Sequence, residues 1–78
     1  MRLKKLQKFL EEKSFLYHYT EEDGMGSIDF EYRGIAYHVW EFKEEEYGAE
    51  SNVRNGGWSE DFSDNYEQEI IKIIRSWR

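Results

Sequence analysis

Seventy-eight residues without a cysteine or a proline are enough for one domain, and neither a disulfide nor a thiolate metal site is there to staple it. The net charge is −6, and no apolar run approaches the roughly 20 residues that cross a bilayer, so a membrane-spanning helix is excluded. The start, Met1-Arg2-Leu3-Lys4-Lys5, lacks the apolar stretch of a signal peptide, and the expectation is a small cytoplasmic protein.

So short a chain is marginally stable unless its core is dense. Three Trp, six Tyr and five Phe supply that density. Charge is unevenly spread. Residues 1–13 carry five basic and two acidic groups, whereas residues 14–65 carry three basic and thirteen acidic. Such a middle section repels a phosphate backbone, so nucleic acid is not an expected partner.

Taken in order, Leu3, Leu6, Phe9 and Leu10 recur at helical spacing between charges and predict an amphipathic helix over residues 2–13. Phe15–Thr20 alternates aromatic and polar groups as a strand does. The acidic stretch Glu21–Gly26 is a turn, and Ser27–Tyr32 is a second strand. Arg33-Gly34 connects tightly to a third, Ile35–Lys43. After the charged loop Glu44-Glu45-Glu46, Tyr47–Arg54 is a weaker fourth strand, closed by the turn signal Asn55-Gly56-Gly57. Asp64 and Glu67 have the spacing of a capping box. They open a last helix whose apolar face is Tyr66, Ile70, Ile73, Ile74 and Trp77. The fold class is therefore α+β, in the order α-β-β-β-(β)-α: an antiparallel meander with both terminal helices on one sheet face.

A two-residue turn at Arg33-Gly34 sets Tyr32 opposite Ile35, Phe30 opposite Tyr37 and Ile28 opposite Val39. Centring the acidic turn likewise sets Tyr19 opposite Ile28 and Tyr17 opposite Phe30. One face then carries Phe15, Tyr17, Tyr19, Ile28, Phe30, Tyr32, Ile35, Tyr37 and Val39, a natural seat for the helices. A three-residue turn with a glycine bulge is the rival register. It would send Ala36, His38, Trp40 and Phe42 inward instead.

In the first register the reverse face bears Leu16, His18, Thr20, Asp29, Glu31, Ala36, His38, Trp40 and Phe42. His18, Asp29 and His38 form a cross-strand row with steps of roughly 5 Å. Two imidazoles and a carboxylate are a donor set for zinc or another transition metal, and equally an ordinary polar row. A flat row does not converge on a point, so no metal and no cofactor is expected. Apolar groups on an uncovered sheet face mark a partner surface or a homodimer contact. Leu16, His18, His38, Trp40 and Phe42 are the candidate partner surface, unless Trp58 and Phe62 fold back over it.

Two other chemistries fall short. Asp23-Gly24-Met25-Gly26-Ser27-Ile28-Asp29-Phe30 resembles the middle of an EF-hand loop. Met25 and Tyr32, however, stand where oxygen ligands are needed, and the flanks are strands rather than helices. No G-x-S-x-G, P-loop or H-E-x-x-H is present, so an enzyme is not expected.

The run GSIDFEYRGIAYHVWEF, followed by YGAESNVRN and EIIKIIRSW, resembles a group of short uncharacterised acidic bacterial proteins with this layout. That resemblance implies no activity. The element order also resembles double-stranded-RNA-binding domains, but their last helix starts with basic groups and this one starts Asp64-Asn65-Tyr66-Glu67. The expected function is a protein-interaction module that uses the open sheet face. The alternatives are metal binding through His18, Asp29 and His38, and an acidic decoy of nucleic acid.

Overall fold

A computed structural model describes residues 1–77. Helix α1 spans Lys4–Glu12. Strands β1 (Tyr17–Glu22), β2 (Met25–Tyr32), β3 (Ile35–Lys43), β4 (Tyr47–Ser51) and β5 (Glu60–Phe62) follow, and helix α2 (Tyr66–Arg75) closes the order. The strands form one antiparallel sheet, ordered as they occur in the chain. The fold is the expected α+β meander between two helices, with a fifth strand added.

The two hairpin turns explain the register. Asp23-Gly24 and Arg33-Gly34 each have φ between +53° and +82°, the left-handed pair of a two-residue turn whose twist matches the flanking strands. Such a turn at Arg33-Gly34 pairs Tyr32 with Ile35, Phe30 with Tyr37 and Ile28 with Val39. The glycine-bulge register is thereby excluded. The acidic turn is shorter than expected, because β1 runs on to Glu22 and β2 begins at Met25. Its centre is unchanged, so Tyr17 still faces Phe30 and Tyr19 still faces Ile28.

Alternation then assigns the two faces. Ile28, Phe30 and Val39 are buried against Leu3, Leu6, Phe9 and Leu10 from the start of the chain and Ile70 and Ile74 from α2. Phe15, Tyr17, Tyr19, Tyr37, Tyr66 and Trp77 pack around this cluster, half-buried. Tyr32 stacks on Trp77 and Tyr37 packs against it at a tilt, with ring centroids 5.0 and 4.6 Å away. Ile35 shares the face but lies beside the turn and stays exposed.

Three further departures from expectation each have a local reason. Helix α1 starts at Lys4 rather than residue 2, because Leu3 is left-handed (φ 55°, ψ 39°) and turns Arg2 back toward the sheet. The fourth strand ends at Ser51, because the side chain of Asn52 takes over the ladder. Its Oδ1 accepts from the His38 amide at 2.9 Å, and its Nδ2 donates to the carbonyls of Ala36 (3.0 Å) and Gly56 (3.1 Å). The third difference concerns Asp64 and Glu67, which do not form a capping box: α2 has no side-chain cap. The Glu67 carboxylate instead accepts from the Leu6 amide at 2.9 Å, so α2 caps the first turn of α1.

Candidate partner surface on the open sheet face

Register and alternation put His18, Thr20 and Glu22 of β1 on the face away from the helices. Met25, Ser27, Asp29 and Glu31 of β2 and Ala36, His38, Trp40 and Phe42 of β3 join them, with Glu50 of β4 and Asp61 of β5. Leu16, just before β1, is 90% exposed. Helix packing covers only the other side.

The row His18, Asp29, His38 does form, since Asp29 is the pairing partner of both histidines. The side chains do not gather into a ligand set: among the described residues no three His, Asp or Glu groups come together as metal ligands do. His38 Nε2 lies 2.9 Å from the Ser59 hydroxyl, and its ring stacks on Trp40 with centroids 4.0 Å apart. The calcium-like loop fails for the same reason of placement. Glu21 alternates to the helical face and accepts from the Tyr19 hydroxyl at 2.6 Å, while Asp29 points the other way.

Trp40 sits in the middle of the central strand and keeps 43% of its surface exposed. The alternative, that Trp58 and Phe62 fold back over it, is not what forms. Phe62 turns to the helical side, where it is buried in the core, and Trp58 is itself 67% exposed. Ser59 meets His38 instead. Phe42 is half-buried because it lies over Gly48, its cross-strand partner. A Cβ at Gly48 would stand 2.8 Å from the Phe42 ring and from the Phe62 carbonyl oxygen, so no larger residue fits without displacement.

One buried polar cluster escaped sequence reasoning. Glu41 continues the inward series Tyr37, Val39 and is buried beneath Arg2. Its Oε1 accepts from Arg2 Nε at 3.0 Å and from the Gly26 amide at 2.8 Å; its Oε2 accepts from Arg2 Nη2 at 3.1 Å and from the Tyr66 hydroxyl. The Arg2 guanidinium also lies over the Tyr47 ring, 3.9 Å from its centroid. Burial by itself would raise the Glu41 carboxyl. The hydrogen bonds from Arg2, Tyr66 and the Gly26 amide outweigh it and hold the group below the usual carboxylate range. Burial and the bond to Glu41 push the Tyr66 phenol up to about 12. With every buried side-chain polar atom of the described residues partnered, this cluster fastens the start of the chain to β2, β3 and α2. The available signal was an acid at an inward position of an otherwise apolar alternation.

Fold and site together define a small α+β domain whose five-stranded sheet is covered on one face. Compared with family models, with curated proteins and with solved structures, the chain matches none. Among the described residues no helix is long and apolar enough to cross a membrane.

Proposed function

We propose that this chain is a protein-interaction module that docks its partner on the open sheet face, with Trp40 at the centre. The observation that carries the reading is the position of Trp40: mid-strand in the central strand, 43% exposed, opposite the face that seats both helices. An apolar group held there by a stacked histidine and left uncovered is better suited to a partner than to solvent. His18, His38 and Phe42 lie on the same face, and on this reading exposed Leu16, just before β1, extends the surface.

The test compares wild-type chain with Trp40→Ala, each immobilised and exposed to extract of its source cells. At least one protein retained by the wild type and depleted about tenfold or more by the substitution, then rebound as a purified component, is the expected result. Identical retention by both chains overturns the reading. Light scattering on the two chains in parallel separates a partner of another kind from a second copy.

An acidic decoy of nucleic acid is a second reading, favoured by one observation. The open face carries Glu22, Asp29, Glu31, Glu50 and Asp61, and among the described residues no Lys or Arg alternates onto it. For a decoy, the captured protein binds nucleic acid, and the two compete for it.

A further inference from the structure

The charge of the open face narrows what its occupant can be. Among the described residues its five carboxylates have no Lys or Arg beside them, only His18 and His38, and the basic side chains are held elsewhere. Arg2 pairs with Glu41, Lys43 lies over the Tyr47 ring and Arg54 pairs with Glu60, all on the helical side. The other described bases belong to the two helices, the end of α1 and the β2–β3 turn. A second copy laid face to face would set five carboxylates against five, and nucleic acid or an anionic bilayer would be repelled as strongly. A cationic protein surface is the complement that remains.

The pairing register adds a local argument. Trp40 is the cross-strand partner of Glu50, and Glu50 of Asp61, so an aromatic and two carboxylates stand side by side in one row. Cross-strand neighbours on one face are about 5 Å apart. That row suits a guanidinium, which stacks flat on an indole while its N–H groups reach carboxylate oxygens alongside. Lysine, a compact and strongly hydrated charge, satisfies only part of it. His38, stacked on Trp40, holds the indole in place for the contact.

We propose that the occupant of the open face is an arginine-bearing protein segment, one guanidinium of which lies on Trp40 beside Glu50 and Asp61. This rests on the docking reading above. The probe is a synthetic peptide of alternating arginine and serine, titrated into isotopically labelled chain and followed by amide resonances, with lysine and glutamate versions as controls. The arginine peptide is expected to shift the amides of Ser27, Trp40, Glu50 and Asp61, and the lysine peptide to bind several-fold more weakly. Glu50→Gln with Asp61→Asn is expected to weaken binding about tenfold. Glu44→Gln with Glu45→Gln, which removes the same charge from the β3–β4 loop, is expected to leave affinity within about twofold.

Equal weakening by the two double variants reveals charge attraction without a site and overturns the proposal, as does an arginine peptide that leaves the Trp40 row unshifted. Either result, obtained while Trp40→Ala still loses its captured protein, sinks the arginine occupant and leaves the docking reading standing. Capture indifferent to Trp40→Ala sinks the docking reading itself.

Discussion

Arg2 and Glu41 show how unequal the two ends of one ion pair are. The Glu41 side chain is 1% exposed and that of Arg2 33%, so an Arg2 left alone rehydrates whereas a Glu41 left alone remains a buried charge. Removing one partner of a buried pair costs about 3–5 kcal/mol. We therefore expect Arg2→Ala to destabilise by about 3 kcal/mol and Glu41→Gln, whose amide oxygen can still accept from the Gly26 amide while its NH2 donates to the Tyr66 oxygen, by clearly less. Urea unfolding of both variants checks the order, and a larger loss from Glu41→Gln sinks the argument. The pH dependence follows from the same cluster. Because folding holds the Glu41 carboxyl low, its contribution is complete above the ordinary carboxylate range, about 4.3, and fades as pH falls through the depressed value. Tyr66 runs the other way. Its phenol is pushed up to about 12, so its contribution is complete below the ordinary tyrosine value of about 10 and is lost as pH climbs toward the raised one. Tyr17 is also pushed up to about 12, by its hydrogen bond to Glu11 and by burial. Burial and the hydrogen bond to Glu21 raise Tyr19 as well, so phenolate absorbance during an alkaline titration should show three late-titrating tyrosines. Tyr66→Phe and Tyr17→Phe should each remove one, and a titration complete near 10 overturns the assignment.

Helix α1 and strand β4 each complete one end with groups of another element. Helix α1 lacks a side-chain cap of its own and takes its N-terminal acceptor from Glu67 at the start of α2. A lost cap costs about 1 kcal/mol. Glu67→Ala is thus expected to lower stability by about that amount and to speed hydrogen exchange at the Leu6 amide, in α1, more than at amides within α2. Faster exchange confined to α2 returns Glu67 to a local capping role. Strand β4 likewise ends where Asn52 substitutes its side chain for the backbone ladder. Much of this layer was legible in the sequence. Two glycine turns with an alternating apolar pattern leave one register that keeps Ile28, Phe30 and Val39 on a single face. Asp64 and Glu67 matched a local motif, yet the carboxylate found its donor in a helix 61 residues away in sequence. Short β5 gave no periodic signal, because three residues cannot display one; its pairing with Ala49, Glu50 and Ser51 creates the strand.

Across the whole molecule, charge is sorted by face. Glu50 and Asp61 are direct cross-strand partners, an arrangement that costs stability when both are ionised. Glu50→Gln should accordingly raise stability by a few tenths to about 1 kcal/mol, a gain that shrinks as added salt screens the pair. Denaturant melts of both chains at low and high salt decide it, and a destabilised Glu50→Gln shows that the carboxylate contributes to the fold. On the docking reading proposed above, that loss of stability is a cost the face bears for binding. The chain's alternation, its two glycine turns and the apolar stripes of its helices pointed to an antiparallel meander between two helices and favoured its register, because these depend on residues near one another in sequence; the fifth strand, the exclusion of the rival register and the face the helices cover came from the structure. Whether Trp40 is covered, where Glu41 finds its cations and which face is left without a base were decided only in three dimensions. They depend on where Ser59, Arg2, Tyr66 and the basic side chains come to lie after the sheet has closed, and no local pattern encodes a contact between segments tens of residues apart.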